Sequence, residues 1–169
     1  DIVFHADIVG AAFTVIKAEG KEVPNETVKE AAEFSAANSK AWAKGLGKIS
    51  VFCLPREKYV KEAGMAKGTF GARGERMWFR DLELKVAIGV KVEEEAIVVY
   101  GPVMSVRKNS EYFVTIKPGF KKSLELARDI KNRIMIKARP EDKYKIDAIP
   151  MEDFEKAIPG GMGDVVEFS

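Results

Sequence analysis

The chain opens on an alternation of apolar and polar residues. In DIVFHAD the side chains of Ile2, Phe4, Ala6 and Ile8 fall on one side of an extended segment, and those of Asp1, Val3, His5 and Asp7 on the other. GAAFTVIK reads as a second strand and AEGK as a turn. The pattern then changes to helical spacing. A helix is predicted from Pro24 and Asn25, with Asn25 able to cap it, to about Lys44, where Gly45 and Gly47 stop it. Its stripe of Val28, Ala31, Ala32, Ser35, Ala36 and Ser39 is mostly small and lets the backbone sit close to a sheet or another helix. ISVFCLP is apolar on both faces, as a strand central in its sheet would be. The Gly-rich stretch from Arg56 to Phe79 reads as a long loop. LELKVAIGV alternates as one strand, and the segment from Ala96 to Gly119 reads as hairpin-connected strands ending at Pro118 and Gly119. A second helix is predicted from Phe120 to Ala138 with Leu126, Ala127, Ile130 and Ile134 inward, ended by Pro140. MEDFEKAI gives a short third helix, and the remainder a loop with a final strand.

These elements predict an α+β fold: a mixed or antiparallel sheet packed by two longer helices and one short helix. At 169 residues, 46% hydrophobic and 32% charged, the chain fits one compact unit with a substantial core. Cys53 is the only cysteine, which excludes an internal disulfide and a multi-cysteine zinc cage. A reducing compartment and a cytoplasmic location are the expectation, since no apolar run approaches the ~20 residues of a membrane helix.

Net charge is +2, but it is unevenly distributed. Arg56 to Arg80 holds 7 basic and 3 acidic residues, Lys117 to Lys145 holds 10 and 4, and Ile146 to Ser169 holds 1 and 6. Local potential rather than net charge attracts a polyanion, so two cationic surfaces are expected to meet one phosphate-rich ligand.

Candidate chemistry is sparse. Asp1, His5 and Asp7 share a strand face, which allows a divalent cation or an acid/base pair, yet no second histidine exists to help. A hydrogen-bonded structural histidine, or one on a polar RNA-facing edge, is the alternative. Cys53 has no imidazole near it in sequence and reads as core. GTFGARGER lacks the Lys-Ser/Thr ending of a phosphate-binding P-loop. Its glycines still free backbone amides, and Lys67, Arg73, Arg76 and Arg80 supply cations for a nucleic-acid backbone. An ordinary solvated loop is the competing description, and the basic helix faces the same contest.

DIVFHADIVGA, SKAW (Ser39 to Trp42), ISVFCLP, YVK, KGTFGARGERMWF and LELKVAIGV, in that order and spacing, resemble the NFACT-R domain of the NFACT proteins of ribosome-associated quality control. The part from Tyr100 to Ala138 looks like the C-terminal extension of archaeal members. The resemblance implies residues 1–92 as the domain core, with its N-terminal part missing, and 93–169 as the extension, packed together as one unit. The chain is then expected to be a C-terminal fragment of a larger protein. The resemblance further implies RNA binding without catalysis and without a cofactor. The expected partners are tRNA, ribosomal RNA, the obstructed large ribosomal subunit and the rest of the NFACT protein, in support of C-terminal tailing of stalled chains. No membrane is expected, and a homodimer is left open. Positions matching the family pattern are His5, Asp7, Ser39, Lys40, Trp42, Gly68, Phe70, Arg73 and Gly74. Together with the basic residues of the loop they give the candidate nucleic-acid contacts His5, Asp7, Lys40, Lys61, Lys67, Arg73, Arg76 and Arg80. Arg73 can offer a planar fork to phosphate or stack on a base, Lys61 and Lys67 add point charges, and His5 can reach a ribose hydroxyl. Trp42 is expected in the core rather than on a base. The alternatives are an RNA-processing or RNA-modifying enzyme built on Asp1, His5 and Asp7, and a protein-interaction module using the acidic tail.

Overall fold

A computed structural model describes residues 1–167 of the chain. The first elements are β1 (Ile2–Ala6), β2 (Phe13–Ile16), α1 (Asn25–Ala37), α2 (Lys40–Ala43) and β3 (Lys48–Pro55), followed by the two-residue strands β4 (Tyr59–Val60) and β5 (Gly71–Ala72) and then β6 (Met77–Glu83). Four of these form an antiparallel sheet in the order β2-β1-β3-β6. One face of it is core. Phe4, Ala6, Val51 and Cys53 are buried there beneath Ala32 and Ala36 of α1, whose small side chains permit the close approach.

The predicted helix from Pro24 to Lys44 is two helices. Pro24 occupies the N-cap without a side-chain capping bond, and the chain breaks at Asn38. Ser39 then starts α2 by accepting a hydrogen bond from the Ala41 amide at 3.2 Å, a local alternative to continuing the first helix. Trp42 is 3% exposed, and its Nε1 donates to the Met162 carbonyl at 2.7 Å, 120 residues away. Burial with a satisfied indole N–H is the packing role expected of it.

LELKVAIGV is not one strand. The first sheet ends at Glu83 and β7 (Val86–Val92) starts a second, with the Leu84 amide donating to the Gly47 carbonyl between them. This sheet has β8 (Ala96–Gly101), β9 (Tyr112–Lys122) and β10 (Met162–Val165), in the order β10-β9-β7-β8, again antiparallel. Between β8 and β9 lies α3 (Val103–Asn109), in place of the expected direct hairpin. Strand β9 also runs past Pro118 and Gly119. Gly163 pairs with Lys121 and Asp164 with Lys117, so residues 118–120 bulge out and the strand resumes beyond them.

The remaining helices are α4 (Ser123–Lys137), α5 (Pro140–Asp147) and α6 (Met151–Lys156). Leu126, Ala127, Ile130 and Ile134 of α4 are all fully buried, as their spacing predicts. Pro140 does more than stop a helix: it is the first residue of α5, where its missing N–H costs nothing. One hydrophobic cluster runs from Phe4 and Val51 of the first sheet to Ile88, Ile116 and Phe154 around the second. The fold is α+β with antiparallel sheets, as the patterns indicate: two four-stranded sheets joined at Leu84 and Lys85, and the two-stranded pair of β4 and β5.

Candidate nucleic-acid interface

The other face of the first sheet carries no helix among the described residues. Strand registers determine what it presents. His5 pairs with Phe13 on β2 and with Phe52 on β3, and Phe52 pairs with Trp78 on β6. One cross-strand row therefore reads Phe13, His5, Phe52, Trp78. The ring centroids are separated by 5.2 Å, 5.6 Å and 5.2 Å in turn, all tilted. Side chains directly opposite across antiparallel strands meet in this way, and tilted aromatic pairs stabilise one another beyond their buried area.

Two arginines lie on the row. The Arg76 guanidinium sits 4.5 Å from the Phe52 centroid, and that of Arg80 sits 3.9 Å from the Trp78 ring. Neither makes an ion pair among the described residues, although both are exposed. Arg80 owes its position to a bulge. Register shifts between Ile49 and Val51, so Arg80 and Asp81 oppose the single Ser50, and Asp81 adopts φ 51° with its amide donating to the Ser50 hydroxyl at 3.2 Å. The ring keeps its guanidinium oriented at a cost in side-chain freedom already met in the free protein.

The Gly-rich stretch is a short hairpin arm rather than a structureless loop. Tyr59 pairs with Ala72 and Val60 with Gly71, and the Arg73 amide donates to the Lys58 carbonyl at 2.8 Å. The arm folds back over β1. Tyr59 Oη donates to the Val3 carbonyl at 3.1 Å, and Phe13 meets the edges of Tyr59 and Phe70 at 5.5 and 5.8 Å. Burial pushes the Tyr59 phenol up to about 12. Gly68 and Gly74 have φ of 83° and 103°, positions at which a side chain would strain the turns of the arm.

The eight sequence candidates divide by location. His5, Arg76 and Arg80 are in the row. Lys61 is on the arm, donating to the Ala66 and Thr69 carbonyls with its Nζ 5.4 Å from the Phe70 centroid. Lys67 is exposed on the same arm. Arg73 is paired with Glu62 through one of its five donors, so it braces the arm. Asp7 and Lys40 are apart from the row, at the turn joining β1 to β2. The Asp7 amide donates to the Ser50 carbonyl at 2.8 Å, and Lys40 Nζ is so close over Gly10 that a Cβ there would lie 2.6 Å from it. His5 is flanked by rings rather than by carboxylates, and among the described residues no group of three His, Cys, Asp or Glu is placed to hold a metal ion. Phe13, Phe52, Tyr59 and Trp78 join the site without having been singled out by the sequence reading. Their signal is present all the same: ISVFCLP puts a phenylalanine on the face opposite Val51 and Cys53, and MWFR spaces Trp78 and Arg80 two apart.

The second cationic stretch has a different fate. Lys121 pairs with Asp129 at 3.0 Å, and Arg133 pairs with Asp129 at 2.9 Å and with Glu167 at 3.0 Å. Lys131 donates to the Asp147 and Ile149 carbonyls, Lys137 to Phe113 and Lys145 to Glu93. Arg139 lies 3.4 Å from buried Asp142 and donates to the Tyr112 hydroxyl. Burial alone would raise the Asp129 carboxyl, but hydrogen bonds from Arg133 and Lys121 outweigh it and hold the group below its ordinary value. Carboxylates thus neutralise Lys121, Arg133 and Arg139, while carbonyl bonds position Lys131, Lys137 and Lys145 without cancelling their charge, so the expected second phosphate-binding surface is in part taken up by internal pairing. Lys117, Lys122, Arg128 and Lys143 remain exposed.

Residues 1–74 match the family described as the NFACT protein RNA binding domain. Over 172 aligned residues the chain is 34% identical to the archaeal Rqc2 homolog aRqcH of Methanocaldococcus jannaschii, an alignment that covers 99% of this chain. The chain spans 24% of that relative's length. The motifs from DIVFHAD to GARG fall within the family match, and the similarity to an archaeal protein continues through the second sheet and its helices. Residues 1–74 thus match the NFACT protein RNA binding domain, and the chain as a whole is similar to about a quarter of an archaeal Rqc2 homolog.

Proposed function

We propose that the chain binds RNA through the bare face of its first sheet, as the RNA-binding module of a ribosome-associated quality control factor. One observation carries the reading: a four-strand row of rings, two of them overlaid by arginines that form no ion pair among the described residues. Rings offer π faces to bases, guanidinium planes offer both stacking and phosphate contacts, and the combination is how proteins hold unstacked RNA. The match to an RNA-binding domain supports RNA as the ligand, and the similarity to an archaeal Rqc2 homolog supports the quality-control setting. In that setting the bound species is tRNA or ribosomal RNA on the obstructed large subunit, in the cytoplasm, in support of tailing of the stalled chain. Among the described residues no helix is long and apolar enough to cross a membrane.

RNA contacts are assigned to Arg76, Arg80, His5 and Lys61 foremost, with Lys67 and Arg73 on the arm and Asp7 and Lys40 at the adjoining turn. The test is tRNA binding by the 169-residue chain across a salt series. Arg76→Ala combined with Arg80→Ala should weaken binding at least tenfold and flatten the salt dependence by about 1.4 units of slope, at about 0.7 for each of two phosphates no longer neutralised. Equal affinity in wild type and double variant would overturn the assignment.

A further inference from the structure

Beside the ring row, the same face holds a notch of about 180 Å³ walled by Val3, Phe13, Val15, Tyr59 and Phe70. Its lining is entirely apolar, and it is built from three segments: β1, the edge strand β2 and the folded-back arm. Phe13, Val15 and Phe70 are 38%, 46% and 46% exposed, so large apolar groups around one small concavity are left to water. Burying such area is favourable for whatever flat apolar body fits between the rings.

The surroundings restrict what that body can be. Among the described residues no carboxylate lines the notch. Lys61 stands at its rim over Phe70, with two donors directed to the Ala66 and Thr69 carbonyls. An ammonium has three donors, so one remains for an anion. Arg76 and Arg80 continue the positive potential along the row. A flat ring carried on an anionic thread matches this arrangement. We infer that the notch takes one unpaired nucleobase, its ring against Phe13 and Phe70 and a neighbouring phosphate on Lys61. This rests on the RNA-binding reading above and goes further, since a base inside a duplex has its faces covered by its neighbours and cannot enter. The ligand is then RNA with an unpaired nucleotide, not a continuous helix recognised by its backbone alone.

The experiment uses the 169-residue chain with a short fluorescein-labelled single-stranded RNA carrying one 2-aminopurine, and with the blunt duplex of the same sequence. Wild type should bind the single strand more tightly than the duplex and quench the 2-aminopurine. Phe70→Ala should lower single-strand affinity by about tenfold, within the range set by stacking of one base, abolish the quenching and leave duplex affinity unchanged. Phe70→Tyr, which keeps a ring, should restore both readouts. Because Phe70 is on the exposed arm, the core is intact in both variants, which circular dichroism checks. Quenching that survives Phe70→Ala, or a variant that loses both RNAs equally, overturns the notch while the RNA-binding reading stands. Wild type that binds neither RNA overturns both, and a notch that instead accepts an aromatic side chain of a protein predicts this outcome.

Discussion

Arg80 and Arg133 carry the same guanidinium, and their surroundings give the two opposite uses. Arg80 lies over the Trp78 ring with no carboxylate paired to it among the described residues, on a sheet face that no described helix covers. Arg133 is held between Asp129 and Glu167 and stitches α4 to the chain after β10. A ring orients a cation without cancelling its charge, whereas a carboxylate does both. Counting basic residues therefore overstates the phosphate-binding surface around Arg133, where carboxylates neutralise the cations. What each cation is paired with decides whether a basic stretch is an interface.

That contrast can be broken by substituting the two regions in turn. The largest expected effect is on RNA affinity: Arg76→Glu with Arg80→Glu should reduce it by about a hundredfold or more, by replacing two phosphate contacts with two repulsions. Lys121→Ala with Arg133→Ala removes the same number of cations from the α4 region and should change RNA affinity by about twofold or less in the same filter-binding series. Comparable reductions from the two pairs would erase the difference between the regions.

Stability should respond the other way round. Removing Arg133 leaves Asp129, which is only 24% exposed, short of a charge-assisted partner, and about 1 kcal/mol of stability should be lost, a fall of a few degrees in Tm by calorimetry. Arg80→Ala, at an exposed side chain with no ion pair among the described residues, should move Tm by less. The depressed Asp129 carboxyl adds a pH signature. Its contribution is complete above the ordinary carboxyl value of 3.8 and is lost as pH falls through the lower folded-state value. Asp129→Asn should flatten this acid limb of the stability curve, and substitutions in the ring row should leave it unaltered.

The smallest effect belongs to Tyr59. Its phenol is raised to about 12, so its contribution to holding the arm is complete below pH ~10 and is lost between there and the folded-state value. Of the four tyrosines, one should ionise near that pH in an absorbance titration, and Tyr59→Phe should remove that step.

The resemblance carried by HAD, SKAW and GTFGARG is matched by the family assignment of residues 1–74, and periodicity identifies the inward face of α4 correctly at all four positions. ISVFCLP is central in its sheet, as its two apolar faces indicate, although the second of those faces belongs to the ring row and not to a core. Boundaries are less legible. Ser39 splits a helix that is continuous in pattern because its hydroxyl competes for the backbone, and Leu84 and Lys85 split an alternating run that local pattern alone could not divide between sheets.

By itself the sequence determined which side chains could be buried, where helices and strands could form, and which residue types were available for RNA. Those properties follow from spacing along one segment, because period and side-chain chemistry are local. Only the tertiary structure decided that Phe13, His5, Phe52 and Trp78 stand in one line, because that line is a matter of register between four strands drawn from residues 2 to 83. It also decided which cations remain free, since Arg133 meets a carboxylate 34 residues further along the chain, and no pattern of nearby residues encodes that meeting.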